Sequence, residues 1–95
     1  MLLASEGARE GTVVWADEQQ HGRGRNQRMW HSPPGNLYCS IILRPLKLLT
    51  SLGGFSLIAS LAVAKSIEEL VPNGSAISLK WPNDVLINGK KTAGI

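Results

Sequence analysis

Leu52 to Ala64 is the run that most limits what this chain can fold into. It is apolar apart from Gly53, Gly54, Ser56 and Ser60, and it falls short of the roughly 20 residues that a membrane span needs. Thr50 or Ser51 can cap a helix there. The helix runs to about Leu70, carries Glu68-Glu69 near its end and stops at Pro72-Asn73-Gly74. From Leu57 to Ala64 it is apolar nearly all round, which predicts burial against a sheet.

The sheet is to be sought on either side. Thr12-Val13-Val14-Trp15-Ala16 is continuously apolar and β-branched, the pattern of a buried strand, and Leu37 to Leu43 reads as a second strand closed by Arg44-Pro45. Ala76 to Trp81 alternates as a third, ended by Pro82. Val85-Leu86-Ile87 and Lys91-Thr92-Ala93 flank Asn88-Gly89, whose tolerance of positive φ predicts a two-residue hairpin turn. Residues 4 to 10 resemble the tail of a helix stopped at Gly11. The order predicts an α+β or mixed α/β fold: a mixed β-sheet with helices on one face, within a single domain.

Between the first two strands, Gln19 to Asn36 holds Gly22, Gly24, Pro33, Pro34 and Gly35 with no hydrophobic period. It reads as a loop longer than the about 12 to 15 residues that plain connections reach, and such loops are usually functional or disordered. Its segment Gly22-Arg23-Gly24-Arg25-Asn26-Gln27-Arg28-Met29-Trp30 places three guanidinium groups beside two glycines with no acidic residue. Arginine forks suit phosphate or carboxylate, and glycines let backbone N–H groups approach the same anion. No acidic side chain occurs between Glu18 and Glu68, whereas Arg23, Arg25, Arg28, Arg44, Lys47 and Lys65 all lie there. That asymmetry, within a net charge of +3, points to a phosphorylated or polyanionic partner.

Each motif also has a plainer reading. Arginines in a glycine-rich loop are as readily solvated surface, and Asn83-Asp84 after Pro82 is a common turn. Lys90-Lys91 would be a solvated hairpin edge, and Trp30 an anchor for its loop. His31 has no second histidine or cysteine at ligand spacing. A single cysteine, Cys39, excludes an internal disulfide, and with no signal-like segment the expected location is the cytoplasm.

Together the motifs resemble one family. Gly22-Arg23-Gly24-Arg25-x-x-Arg28-x-Trp30-x-Ser32-Pro33-x-Gly35-Asn36-Leu37-Tyr38-x-Ser40, then Lys80-Trp81-Pro82-Asn83-Asp84, then Lys91-x-Ala93-Gly94-Ile95, resembles the catalytic domain of biotin protein ligases. The resemblance implies a two-step reaction: biotin and ATP give biotinyl-5′-adenylate, and a lysine of a biotin carboxyl carrier protein then takes the biotin. By motif position it implies that Gln19, Gly22, Arg23, Gly24, Arg25, Lys91 and Gly94 contact biotin or the adenylate. Trp30 and Asn83 would serve the nucleotide, with Asn83 a possible contact to Mg²⁺ carried by ATP. Arg25, Lys91 and Asp84 are the implied catalytic groups, with Asp84 orienting or deprotonating the incoming lysine.

Gln27 stands where that family commonly has glycine, and Asn26 where it commonly has a basic residue, which lowers both the flexibility and the charge of the loop. Relative to the family, residues 1–95 read as a partial catalytic domain. The expectation is that a Ser-Thr-Asn biotin-contact segment precedes Met1, that a glycine-rich strand and a C-terminal domain follow Ile95, and that the chain alone is feebly active. No DNA-binding domain and no membrane segment are expected within it, and a homodimer is possible. Three alternatives stand beside this reading: a lipoate ligase-type acyltransferase, a nucleic-acid-binding module using Trp15, Trp30 and Trp81, and a noncatalytic remnant that pairs with a fuller subunit.

Overall fold

A computed structural model describes residues 2–45 and 52–95, the side chains of residues 52 and 53 excepted. The chain divides into two compact units, Met1–Leu48 and Leu49–Ile95. Thr50 and Ser51, expected to cap the long helix, lie outside the described residues.

The first unit begins with one helical turn, α1 (Leu2–Ser5), which ends before the expected stop at Gly11. Gly7 sits at φ +90° two residues beyond the helix, and a left-handed glycine there halts it first. Strand β1 (Val13–Ala16) pairs antiparallel with β2 (Tyr38–Ile41), Val13 opposite Ile41 and Ala16 opposite Tyr38. The buried strand expected for β1 is instead open, with Val13 and Trp15 more than half exposed. Arg44 closes the unit. Its Nε donates to the Ala8 carbonyl at 3.1 Å, and its Nη2 donates to the Ala4 and Ala8 carbonyls, each at 2.7 Å. These are carbonyls at and just beyond the end of α1, where helices leave acceptors unpaired and a cation is favourable. Arg44 thus belongs to the fold and not to the anion-seeking set.

In the second unit, α2 (Leu52–Glu68) packs across an antiparallel meander of β3 (Ile77–Lys80), β4 (Asp84–Ile87) and β5 (Lys90–Gly94). The ladders of both units are antiparallel, with no parallel pair among the described residues. The helix turns its small residues inward: Ser60 and Ala64, one turn apart, are buried, and Val85 on β4 is fully buried. Three of its large residues face outward, with Leu57, Ile58 and Leu61 exposed by 41%, 65% and 51%, while Phe55, Val63 and Ile67 are half-buried. The expectation that so apolar a helix is buried therefore holds for one narrow stripe only. None of the described helices is long and apolar enough to cross a membrane.

Asn88 at φ 49° and Gly89 at φ 77° make the expected two-residue turn and fix Ile87 opposite Lys90. Further along, Leu86 faces Lys91 but Val85 faces Ala93, so Thr92 is an extra residue, taken up in a β-bulge. Side chains alternate between faces, so the register set at the turn, with Leu86 opposite Lys91, already places Lys91 on the face of Asp84. The bulge acts beyond Lys91, bringing Ala93 opposite Val85 and Gly94 opposite Asp84.

Candidate active-site loop and the lysine–aspartate pair

The long segment after β1 is not an open loop. Gln19 pairs with Ser32 and Arg23 with Met29 in isolated antiparallel bridges. The backbone bonds Gln19 N to Ser32 O (3.1 Å), Trp30 N to Gly22 O (2.8 Å) and Gly24 N to Arg28 O (2.7 Å) complete a narrow hairpin. At its tip the Arg28 N–H donates to the Arg25 carbonyl at 3.2 Å, around Asn26 at φ 55° and Gln27 at φ 59°. Two successive left-handed residues are what a type I′ hairpin turn requires, a conformation that asparagine tolerates and glutamine adopts at a cost.

The base of the hairpin is sealed by side chains. Ser32, 5% exposed, has its Oγ 2.9 Å from Gln19 Oε1 and 3.1 Å from the Trp30 carbonyl oxygen. Gly22 passes against this group so closely that a Cβ there would fall 2.4 Å from Trp30 O and 2.5 Å from Ser32 Oγ. Gly24 is different: a Cβ would meet nothing nearer than Arg28 O at 3.6 Å, with Trp30 Cε3 at 3.9 Å. Trp30 is half-buried over this turn, as an anchor for the loop would be. Past the seal, the Tyr38 hydroxyl donates to the Pro33 carbonyl at 2.8 Å and tethers the exit to β2.

Folding the loop this way leaves its cations outside. Arg23, Arg25 and Arg28 are exposed, and among the described residues none of the three guanidinium groups makes a hydrogen bond or ion pair. At the foot of the hairpin lies an open hollow of about 100 Å³, lined by Val14, Trp15, Ala16, Gln19, Tyr38, Cys39 and Ser40. Gln19 thus belongs to both the seal and the hollow. Cys39 is a free, exposed thiol.

In the second unit, Lys91 Nζ lies 2.9 Å from Asp84 Oδ1, the lysine side chain 43% exposed and the carboxylate 17%. The two groups named for catalysis from the motifs are therefore ion-paired to each other across the bulge. Asn83 Nδ2 donates to the Ile95 carbonyl and Ile95 N–H to the Asn83 carbonyl, both at 2.9 Å, so Asn83 extends the β4–β5 ladder and Oδ1 is left as its polar group. Gly94 lies within β5 opposite Asp84. Among the described residues no cluster of three His, Cys, Asp or Glu side chains could hold a metal. A magnesium ion would fit here only as one carried by nucleotide phosphates, with Asn83 Oδ1 as a protein oxygen.

Three features had no counterpart in the sequence reading. These are the Ser32 seal, the Arg44 clasp and the Thr92 bulge. Ser32 carried one signal, its place thirteen residues after Gln19 between Trp30 and Pro33; the other two carried none.

Residues 2–95 match the model of the biotin/lipoate A/B protein ligase family. The chain is 51% identical over 94 residues to the bifunctional ligase/repressor BirA of Bacillus subtilis, covering 98% of this chain and 28% of that protein. It is 40% identical to the biotin–[acetyl-CoA-carboxylase] ligase of Paracoccus denitrificans, covering 99% of this chain and 39% of that relative. Among solved structures, the biotin protein ligase of Aquifex aeolicus in complex with biotin and ATP superposes with a TM-score of 0.81 at 39% identity, over 98% of this chain and 39% of that one. The Leishmania major biotin protein ligase bound to biotinyl-5-AMP gives 0.79 at 31% identity, over 98% of this chain and 44% of that one. The chain spans roughly a quarter to two fifths of the length of these curated relatives. With its family motifs carried on a folded arginine hairpin and a lysine–aspartate pair, the chain belongs to the biotin/lipoate A/B protein ligase family.

Proposed function

We propose that this chain takes part in the ATP-dependent attachment of biotin to a lysine of a biotin carboxyl carrier protein, by way of biotinyl-5′-adenylate. The observation that carries the reading is the closed hairpin with three exposed and unpaired guanidinium groups. It occurs in a family whose solved members were captured with biotin and ATP and with biotinyl-5-AMP.

In the first step a carboxylate oxygen of biotin attacks the α-phosphorus of ATP, and the bond to the leaving pyrophosphate breaks. Two anions must meet, so fixed cations that strengthen their hold as charge builds on the phosphoryl oxygens lower the barrier. Arg23 and Arg25 suit that task, Arg25 at the hairpin tip being assigned to the reacting phosphate. Magnesium on ATP would supply further neutralisation of the phosphates. In the second step the carrier lysine attacks the acyl carbon, AMP leaves, and the amine proton must be taken up. Asp84 is assigned to orient that ammonium, and Lys91 to hold the reacting oxygens. Trp30 orders the hairpin beside the nucleotide, and Gln19, Gly22, Gly24 and Gly94 line the ligand.

The proposal includes residues 1–95 as part of a catalytic domain, feeble turnover for this chain by itself, and a cytoplasmic location, to which the free, exposed thiol of Cys39 is suited. Titration of the chain with biotinyl-5′-AMP tests it, with lipoyl-5′-AMP and single-stranded DNA as competitors. Saturable binding that lipoyl-5′-AMP does not displace supports the reading. No binding of biotinyl-5′-AMP, or preference for lipoyl-5′-AMP or DNA, overturns it. Pyrophosphate release with biotin, ATP and Mg²⁺ then measures turnover, and a rate near that of an intact ligase would remove the expectation of feeble activity.

A further inference from the structure

Ser32 lies in no motif position that touches a ligand, yet it is the most buried polar side chain described in the first unit. Its hydroxyl has one proton and two oxygens beside it, Gln19 Oε1 at 2.9 Å and Trp30 O at 3.1 Å. A single proton serves one of them well. A half-turn of the Gln19 carboxamide, which exchanges nearly isosteric O and N, removes the conflict. Nε2–H then donates to Ser32 Oγ, and the hydroxyl proton goes to the Trp30 carbonyl. The Ser32 hydroxyl then both accepts and donates, as a group this buried requires.

We propose that Ser32 is a positioning residue that holds the Gln19 carboxamide with its nitrogen toward the hairpin base and its carbonyl oxygen toward the ligand. Gly22, packed against both Ser32 Oγ and the inner end of the Gln19 carboxamide, leaves the pair no room to swing aside. Gln19 also lines the hollow beside β1 and β2, so the group it turns outward decides what chemistry the hollow accepts. An outward carbonyl is an acceptor, and it selects a ligand that brings an N–H. The ureido ring of biotin has two such groups, and the dithiolane ring of lipoate has none. This part of the inference rests on the biotin reading above.

The test has one arm that needs no ligand. In ¹⁵N-labelled protein the Gln19 side-chain amide protons are followed in the wild type and in Ser32→Ala. Wild type should show one proton shifted downfield and protected from exchange, and Ser32→Ala should return it to solvent-like values while the Trp30 N–H stays protected. Gln19 amide protons that are solvent-like in the wild type, or unchanged in Ser32→Ala, overturn the proposal, as does loss of Trp30 protection on the same scale.

The second arm is a double-mutant cycle read with biotinyl-5′-AMP. Ser32→Ala should weaken binding about tenfold when Gln19 is present and less than about twofold in the Gln19→Ala background, since it acts through Gln19. Equal losses in both backgrounds overturn it. If wild type binds no biotinyl-5′-AMP but the Gln19 amide behaves as expected, the biotin reading fails and the hold of Ser32 on Gln19 stands.

Discussion

Replacing Gly22 with alanine should open the arginine hairpin, and the reason is room and not backbone conformation. Gly22 is not among the positive-φ glycines, so alanine could adopt its backbone. Its Cβ, however, would sit 2.4 Å from Trp30 O, 2.5 Å from Ser32 Oγ and 3.0 Å from Gln19 Oε1. The first two lie well inside van der Waals contact, and the Trp30 carbonyl is backbone that cannot turn away. Relief requires the two arms to part. That strains or breaks the Trp30 N to Gly22 O bond and the Ser32–Gln19 contact, at about 1 kcal/mol net for each bond. Overpacking of this kind costs about 1–3 kcal/mol more, so the closed hairpin should lose roughly 3–5 kcal/mol. Amide exchange at Trp30 and Gln19 reads the loss directly, as a fall in protection of about 150-fold or more wherever the wild-type value leaves that range. Gly24→Ala is the internal control, because its nearest neighbour would lie at 3.6 Å and its φ is −92°. Retained protection in Gly22→Ala, or equal loss in Gly24→Ala, would refute the packing argument.

Other consequences can be measured on the same protein. Gln27→Gly should stabilise the closed tip by about 1 kcal/mol by relieving a left-handed glutamine, and Asn26→Gly by less, because asparagine tolerates that region; slower exchange at the Arg28 N–H checks this, and an equal gain from both substitutions would count against it. Arg44→Ala should fray α1 at a cost of about 1–2 kcal/mol, seen as faster exchange at the Glu6 and Ala8 N–H groups, and Arg44→Lys should restore little since a lysine lacks the second nitrogen with which Nε and Nη2 together hold the Ala8 carbonyl. Asp84→Asn should change unfolding stability by less than about 1 kcal/mol, because Lys91 is 43% exposed and such pairs are worth little; a larger loss in a denaturant titration would mean that the pair holds the meander together.

What the sequence made legible follows from how local each signal was. Asn88-Gly89 specifies its own turn through backbone freedom, and the hairpin stands where it was expected. The arginine hairpin was invisible because Gln19, Arg23, Met29 and Ser32 pair without any alternation of apolar and polar residues. Arg44 was misassigned to the cationic surface because its acceptors, Ala4 and Ala8, lie some forty residues back in the chain and are carbonyls, which leave no mark on composition. The helix from Leu52 was found, but average hydropathy could not say that Ser60 and Ala64 would be its buried residues and Leu57, Ile58 and Leu61 its exposed ones. Of the site, the glycines and cations were legible as motifs, whereas the pairing of Lys91 with Asp84 is a cross-strand contact that neither residue announces by itself.

The tight turn at Asn88-Gly89 makes the meander count in odd and even. Strand side chains have only two directions, so an extra or missing residue between that turn and Lys91 is a change of parity and not of distance. Of substitutions on β5, those at Lys91 itself would remove the ammonium from Asp84, while a one-residue insertion between Gly89 and Lys91 would turn an intact lysine to the opposite side. In this segment, length is therefore a stricter inheritance than composition.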